Sequence, residues 1–440
     1  MAPVDAARGA AYDVLRAVSD QDAYANLELS RVLRERRISG RDAALATELV
    51  SGTLRLQGSY DAVLAQLVAR PLDPPVRDAL RLGVHQLLST RITSHAAVGT
   101  TVDLVKDRIG HRPAGLVNAV LRKVAGQSLE DWLADRPLAA RTSHPTWIID
   151  ELTQALDRPD ELDALLAADN ERPGVVLVAR PGLCDPAELG GDPHPVSPYA
   201  VALEGGDPGA LAAIREGRAG VQDAGSQLVA LVLARAEVDG RDERWLDLCA
   251  GPGGKAALLA ALAAQRGAQV LANERQPHRA ALVAQGTRAA RSGLLGVVAG
   301  DGTRPAWRTG SFDRVLVDAP CSGLGALRRR PESRWRRAAS DVGDLVPLQV
   351  DLLNAALDAL RPGGVVAYAT CSPVLAETAG VVNTVLARRT DAVLVPATGH
   401  IGGLVDAESA HLPGAVQLWP HRHGTDAMFV ALLRRSLGRR

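Results

Sequence analysis

Residues 245–255 have the sequence Trp245-Leu246-Asp247-Leu248-Cys249-Ala250-Gly251-Pro252-Gly253-Gly254-Lys255. The pattern predicts a strand, a glycine-rich turn and the start of a helix. Glycines in such a turn let a ligand approach the backbone, and the helix N-terminus presents free amides. The stretch is not a phosphate-binding P-loop, because Cys249 and Ala256 stand where that motif needs Gly and Ser or Thr. A tight turn without a ligand is the alternative for the loop taken alone.

The same alternation of strands and helices continues from about residue 220 to the end of the chain. Helical patterns at 255–264 and 345–360 lie between apolar runs of strand length. The alternation predicts an α/β domain with a doubly wound, mostly parallel sheet. The predicted strands are 245–248, 270–272, 295–298, 314–317, 365–368 and 428–433.

The first part of the chain has a different pattern. From about residue 6 to 124, apolar residues recur at spacings of three and four, which predicts an all-α bundle of roughly five to seven helices. A helix start at 143–145, a strand at 175–178 and Gly- and Pro-rich sequence follow. We therefore predict an all-α domain at 1–135, a small α+β connector at 136–219 and a Rossmann-like domain at 220–440.

Bulk composition is that of a soluble globular protein. Of the 440 residues, 47% are hydrophobic and 23% charged, and the formal net charge is zero, so basic surface must be local. We expect no membrane span, because no apolar run reaches about 18 residues, and no signal peptide. Four scattered cysteines indicate neither a disulfide framework nor a metal site, and His421 and His423 lack a third ligand. A reducing cytoplasm is the predicted location.

Acidic residues end three successive predicted strands after the glycine loop. Glu274 could bind two ribose hydroxyls, and Asp301 could accept a hydrogen bond from an adenine amino group. Asp318 ends the next strand. Carboxylates at these positions, without a phosphate motif, suit a nucleoside that carries a cation, so we predict S-adenosylmethionine as cofactor. The alternative is that each carboxylate caps a helix or a turn.

Two cysteines follow apolar strands directly: Cys321 within 315–323 and Cys371 within 365–373. Ligands in open α/β sheets bind beyond the carboxyl ends of the strands, and a thiol there can be ionised to a nucleophile. The residues alone do not decide which thiol that is. Either cysteine could instead be a small buried hydrophobic residue. The side chains of Cys184 and Cys249 are predicted to be structural.

Several segments together resemble bacterial RNA cytosine-C5 methyltransferases of the small-subunit ribosomal RNA (Sun/RsmB) type, which carry a NusB-like N-terminal domain. The resemblance covers nearly the whole chain. Departures are mild: Gly251 stands where Ala is common, Glu274 where Asp is common, and Ala427-Met428 where Gly-Phe is common. The segments are 41–42, 48–55, 117–122, 221–226, 249–255, 318–323, 330–335, 370–372 and 420–426.

The resemblance implies roles for individual residues. Cys371 would be the nucleophile that adds to C6 of cytosine, and Cys321 the second cysteine that helps to release product. Asp318, three residues before Cys321, is the natural hydrogen-bond partner of cytosine N3. The residues implied to contact S-adenosylmethionine are Cys249, Ala250, Gly251, Pro252, Gly253, Gly254, Lys255, Glu274, Asp301 and Asp318.

RNA contact is predicted for a basic cluster just after the Cys321 loop, because arginines grip phosphates and Trp can stack on a base. A solvated charged face is the alternative. The expected partner is ribosomal RNA, free or in an assembling small subunit, bound by a monomer. A cytosine-C5 methyltransferase of tRNA or DNA and a non-catalytic NusB-like RNA-binding factor remain alternatives. The cluster comprises Arg328, Arg329, Arg330, Arg334, Trp335 and Arg336, and a second one comprises Arg31, Arg34, Arg36 and Arg37.

Overall fold

The computed structural model describes residues 5–21 and 23–437. Its chain divides into two compact units, each assembled from several segments. Unit 1 comprises Met1–Asp150, Leu166–Glu171 and Leu327–Arg337, and unit 2 the remaining segments, Glu151–Leu165, Arg172–Ala326 and Ala338–Arg440. The predicted connector at 136–219 contributes to both units, and its boundaries stay predictions.

Unit 1 is helical, and its first seven helices bury their apolar faces around residues such as Leu49, Leu80 and Leu121. This confirms the all-α prediction for the N-terminal part. Pro74 opens the fifth helix, where its missing N–H costs no hydrogen bond. The helices of the first 170 residues are α1 Ala6–Gln21, α2 Ala25–Glu35, α3 Gly40–Arg55, α4 Gln57–Ala65, α5 Pro74–Leu88, α6 Ser94–Arg108, α7 Ala114–Val124, α8 Leu129–Leu133, α9 Leu138–Thr142, α10 Thr146–Ala155 and α11 Leu162–Asn170.

A small antiparallel sheet in unit 2 precedes the glycine loop in sequence. Its order is β2-β3-β1-β4, with β1 Val175–Ala179, β2 Asp192–Pro193, β3 Ala200–Leu203 and β4 Ala219–Val221. A short helix, α12 Ala212–Arg215, leads into β4. The strand predicted at 175–178 is confirmed as β1, whereas the other three strands are too short or too polar to be predicted from periodicity.

The larger sheet of unit 2 has the order β10-β12-β9-β8-β5-β6-β7, with β11 paired to β12. Strands β7, β6, β5, β8 and β9 run parallel, and β12 is antiparallel to β9 and β10. The six predicted strands are all present. The elements are α13 Ala224–Arg235, β5 Arg244–Asp247, α14 Gly254–Ala264, β6 Gln269–Glu274, α15 Pro277–Thr287, β7 Leu294–Ala299, β8 Phe312–Asp318, α16 Ser333–Arg336, α17 Ala339–Ala359, β9 Leu360–Thr370, α18 Ala379–Arg388, β10 Ala392–Val395, β11 Val416–Gln417, α19 Pro420–His423 and β12 Phe429–Arg435.

The direction of winding reverses between β5 and β8. From β5 the chain adds β6 and β7 on one side, and from β8 it adds β9 on the other. In open α/β sheets the crevice at the carboxyl ends of such strands is where ligands bind. The opposite end of β8 is closed by Asp313, a fully buried carboxylate that accepts hydrogen bonds from the backbone amides of Glu243 and Arg244 (both 2.8 Å) and from two arginines, Arg241 and Arg361.

Among the helices within the described residues, none combines the length and the apolar character that crossing a membrane requires.

Candidate active site

The two predicted reactive cysteines meet at the carboxyl end of the large sheet. Cys321 follows β8 and Cys371 follows β9, and their Sγ atoms lie 3.5 Å apart as free thiols. The Gly325 amide donates to the Cys371 carbonyl at 2.9 Å, and a Cβ atom at Gly325 would lie 2.1 Å from the carbonyl oxygen of Ala427. Only glycine permits this close approach of the loops. One substrate atom could therefore be reached by both sulfurs.

Lys255 and Asp318 form an ion pair beside the two thiols. The ammonium Nζ donates to Asp318 Oδ2 at 2.8 Å, and the lysine side chain is only 12% exposed. Burial by itself would lower the pKa of Lys255, but attraction to Asp318 and to Cys371 outweighs it and raises that pKa above its ordinary value. The ammonium therefore remains charged near Cys371. Lys255 is the one lysine in the last two-thirds of the sequence.

The surroundings of Cys321 disfavour its thiolate. The hydrogen bond with Cys371, burial and the negative charges of Glu377 and Asp318 together hold the pKa of Cys321 well above its usual range. The Lys255 ammonium attracts negative charge at the Cys371 sulfur, whereas the carboxylates of Glu377 and Asp318 repel it at the Cys321 sulfur. The electrostatics therefore distinguish two thiols that the residue pattern left equivalent.

The glycine loop lies between β5 and α14, as predicted. Gly253 has φ +115°, and a Cβ atom at Gly251 would lie 2.0 Å from Glu274 Oε2. Glu274 accepts hydrogen bonds from the Gly251 amide (3.0 Å) and the Gln276 amide (2.9 Å). Each carboxylate oxygen retains a lone pair, so the ribose role predicted for Glu274 is compatible with this arrangement. Lys255 stands in the first turn of α14.

The third predicted carboxylate lies after β7. Asp301 Oδ1 accepts from the Thr303 amide (3.0 Å) and hydroxyl (2.8 Å), and these hydrogen bonds lower the pKa of Asp301. Part of this side chain is exposed. Glu274, Asp301 and Asp318 thus follow β6, β7 and β8 in turn, which is the placement on which the cofactor prediction depends. Their individual contacts with a cofactor stay proposals.

Sequence reasoning missed Asp247, the last residue of β5. It is fully buried, and within the described residues neither carboxylate oxygen accepts a hydrogen bond of regular geometry, although the Cys249 amide acts on it weakly in the direction of a lower pKa. Burial and repulsion by Asp318 raise its pKa to about 8. A buried carboxylate without a partner is costly, which indicates a site that a cationic ligand completes. The positively charged sulfonium and amino groups of S-adenosylmethionine fit a site with this buried carboxylate. The available signal was an acidic residue inside an apolar strand, directly before the glycine loop.

The two histidines near the C-terminus, His421 and His423, form hydrogen bonds within unit 2. His421 Nε2 lies 2.8 Å from Glu161 Oε2, and His423 Nδ1 accepts from the Trp419 amide at 2.9 Å. In the part of the chain that the structure describes, no group of three or more His, Cys, Asp or Glu side chains is arranged to hold a metal ion.

The basic cluster predicted to bind RNA lies within the segment 327–337 of unit 1, and one of its members is structural. Arg334 is fully buried, and its guanidinium donates to the carbonyls of Arg55 (2.8 Å), Ser143 (3.2 Å) and Asp169 (2.8 Å) and to Asn170 Oδ1 (2.7 Å). Burial lowers its pKa to about 10, so it still carries charge at neutral pH. Without exposed surface, Arg334 cannot grip a phosphate in this conformation.

Other members of the cluster reach the surface of unit 1. Arg330 is exposed, and Trp335 is 36% exposed. Arg330 and Arg336 lie 5.8 and 4.9 Å from the ring centroid of Tyr24, itself 49% exposed. Arg328 is buried. In the second cluster, Arg31 pairs with glutamates of its own helix and Arg36 with Asp13. Tyr24 was not predicted, because its place beside the arginines comes from tertiary structure.

The full chain is similar to known proteins of bacteria and to a solved structure. The putative methyltransferase Rv1407 of Mycobacterium tuberculosis is 51% identical, with 98% of this chain and 97% of that protein aligned. Ribosomal RNA small subunit methyltransferase B of Salmonella heidelberg is 36% identical, with 83% of this chain and 87% of that protein aligned. The crystal structure of PH0851 superposes with a TM-score of 0.80 over 99% of both chains, at 22% identity, which supports the fold alone.

The doubly wound sheet, the glycine loop and the carboxylates at the strand ends define an S-adenosylmethionine-dependent methyltransferase. The model of the family described as 16S rRNA methyltransferase RsmB/F matches residues 233–434, and the NusB family model matches residues 5–126. The chain belongs to the RsmB/F family of RNA methyltransferases, with a NusB domain at its N-terminus.

Proposed function

We propose that this RNA methyltransferase methylates C5 of one cytosine in small-subunit ribosomal RNA, and that Cys371 forms a transient bond with C6. The observation that carries the proposal is the pair of free thiols 3.5 Å apart beside the Lys255–Asp318 ion pair. The name of the 36% identical relative supports the choice of ribosomal RNA. A cytoplasmic location and a monomeric state stay predictions.

Covalent addition is needed because cytosine C5 is a poor nucleophile toward a methyl group. The Lys255 ammonium favours the thiolate form of Cys371, which adds to C6 and makes C5 electron-rich. The Lys255 ammonium, oriented by Asp318, hydrogen-bonds N3 and transfers a proton to it as electron density moves onto the ring. Bound S-adenosylmethionine supplies an electrophilic methyl group on its sulfonium.

Release requires transfer of the C5 proton to a base such as water, return of the N3 proton to Lys255, and cleavage of the bond between Cys371 and C6, whose electron pair passes to the departing sulfur. A protonated Cys321 at 3.5 Å can donate to the departing Cys371 sulfur and stabilise the thiolate as it leaves. The high pKa of Cys321 favours this role, since a thiol can donate and a thiolate cannot. Of the two roles left open by the sequence, base or aid to elimination, the surroundings favour the second.

Substrate RNA would use the exposed members of the basic cluster. We propose that Arg330, Trp335 and Arg336, with Tyr24, contact RNA in unit 1, and that Arg334 only holds the segment 327–337 in place. The target cytosine must leave its stack to reach the thiols.

Bisulfite sequencing of small-subunit RNA and tRNA, incubated with the protein and S-adenosylmethionine, tests the proposal. We expect one protected cytosine in the small-subunit RNA. Cys321→Ser should accumulate a protein–RNA adduct that survives denaturing electrophoresis, and the adduct should disappear in Cys321→Ser/Cys371→Ser. Protection of tRNA alone would overturn the substrate, absence of an adduct would overturn the covalent step, and a protein without affinity for S-adenosylmethionine in calorimetry would be a non-catalytic factor.

A further inference from the structure

A buried carboxylate lies behind the two cysteine loops. Glu377 ends the short 3-10 turn Leu375–Glu377 after β9, and its side chain has no exposed surface. Its Oε1 accepts from the Ser322 amide at 2.7 Å, and its Oε2 accepts from the Ser322 hydroxyl at 2.5 Å. Ser322 directly follows Cys321. Both oxygens of this carboxylate therefore fix the backbone and side chain next to one thiol.

The contact continues to the other thiol through a second hydroxyl. Ser322 Oγ and Ser372 Oγ lie 3.0 Å apart, and Ser372 directly follows Cys371. An ionised carboxylate only accepts hydrogen bonds, so the Ser322 hydroxyl must donate to Glu377 and the Ser372 hydroxyl must donate to Ser322. The directions of these two hydroxyl hydrogen bonds therefore depend on Glu377.

Two further side chains hold the carboxylate and the loops together. Gln349 Nε2 lies 3.0 Å from Glu377 Oε1 and donates to the Pro320 carbonyl at 2.9 Å, so Cys321 is held on both sides. The Tyr368 hydroxyl donates to the Glu377 carbonyl at 2.7 Å. A charge-assisted network of this kind is rigid, because the carboxylate is buried and both of its oxygens accept hydrogen bonds.

We propose that Glu377 is a positioning residue, whose carboxylate holds the Cys321 and Cys371 loops together through Ser322 and Ser372 and places a negative charge beside Cys321. The inference rests on the proposed covalent function. Glu377 reaches the two cysteine loops through its hydrogen bonds to Ser322 and the bridge from Ser322 to Ser372, and it acts on Cys321 through its charge. That charge is one of the causes of the raised pKa of Cys321, while the Lys255 ammonium acts on Cys371. Thiol and thiolate are thereby kept on separate cysteines.

The experiment uses the full chain and compares Glu377→Gln with Asp313→Asn. Both changes replace a buried carboxylate of unit 2 by its isosteric amide, but Asp313 lies at the far end of β8. Single-turnover methylation of small-subunit RNA should fall roughly 10- to 100-fold in Glu377→Gln, the scale of a misplacement of about 1 Å. The KM values for RNA and S-adenosylmethionine should change less than about threefold, since the binding groups remain. Rates are corrected for the folded fraction.

The second readout is alkylation of each thiol by iodoacetamide as a function of pH, followed by mass spectrometry. In Glu377→Gln the profile of Cys321 should move to lower pH, and in Asp313→Asn it should match wild type. Ser372→Ala removes the hydroxyl bridge and the hydrogen bond that Ser372 Oγ accepts from the Val374 amide (3.2 Å), but it keeps the Glu377 carboxylate. It should lower the methylation rate less and leave the Cys321 profile in place, and it also serves if Glu377→Gln does not fold. A Glu377→Gln enzyme with wild-type rate and profile would overturn the inference. Full activity of Cys371→Ser would instead overturn the proposed function.

Discussion

Two buried aspartates at opposite ends of the large sheet show how stability and function are separated in unit 2. Asp313 is the second residue of β8 and has four hydrogen-bond donors around it, whereas Asp247 ends β5 and accepts no hydrogen bond of regular geometry. Both are fully buried. A buried carboxylate is tolerated when it is paired, so Asp313 serves the fold. Burying the Asp247 carboxylate without such partners costs free energy. This cost occurs at the carboxyl end of the sheet, beside the glycine loop and the thiols, and functional sites are where unfavourable burial of this kind is expected.

The largest difference between the two ends of the large sheet should be in the rate of methyl transfer. Cys371→Ser at the carboxyl end should lower methylation about 10³-fold or more, because a serine hydroxyl is a far weaker nucleophile than a thiolate. Its melting temperature should stay close to that of wild type, since the change removes no buried apolar group of any size. Methyl transfer to small-subunit RNA and thermal unfolding measure the two effects.

The matched control is Cys184→Ser. Cys184 follows β1, is buried in the apolar core beside the small sheet and lies outside the active site, so its replacement should leave turnover unchanged. If Cys371→Ser and Cys184→Ser had equal activities, the carboxyl end would not hold the nucleophile.

A smaller effect is expected at the amino end of β8, and it should be on the free energy of unfolding. Asp313→Asn should lower the free energy of unfolding by about 2 to 3 kcal/mol, because the amide cannot accept from two backbone amides and two guanidinium groups as a carboxylate does. Affinity for S-adenosylmethionine should remain within about twofold. Denaturant unfolding and calorimetry measure these quantities. An Asp313→Asn protein of wild-type stability but weak cofactor binding would reverse the assignment of the two ends.

The sequence predicted those parts of the molecule that depend on local pattern. Apolar periodicity identified the helices of unit 1 and the six long strands, and glycine spacing identified the loop before α14. The thiols were placed correctly because each follows a strand end, and parallel strands bring their ends together. The burial of Arg334 was not predictable, since an arginine in a basic run has the same local signal whether it faces solvent or the carbonyls of Arg55 and Ser143. Glu377 was missed for the same reason: its partners come from two other loops.

The smallest predicted effect is a pH dependence to which Asp247 should contribute most near neutral pH. Its pKa is about 8 in the folded protein and about 3.9 when unfolded. Between these values the folded state binds more protons than the unfolded state, so the free energy of unfolding falls as pH rises through this window. The slope is at most about 1.4 kcal/mol per pH unit. Asp247→Asn should remove its share of the slope, and denaturant unfolding between about pH 6 and pH 8 without cofactor measures it. Cys321 and Cys249, whose pKa values are also raised, add to the slope only near and above the unfolded thiol pKa of about 8.5.

Asp313→Asn provides the contrast for this measurement. Burial acts to raise the pKa of Asp313, but the amides of Arg244 and Glu243 and the two arginines lower it below its ordinary value. Its stabilising effect is therefore complete above the unfolded pKa and constant between about pH 6 and pH 8. Saturating S-adenosylmethionine should flatten the wild-type slope as well, because a cationic ligand compensates the Asp247 charge. Asp247→Asn should weaken cofactor binding about tenfold, or about 1.4 kcal/mol. If Asp247→Asn kept the wild-type slope, its carboxylate would not be the unpaired charge of the site, and the two ends of the sheet would differ in chemistry alone.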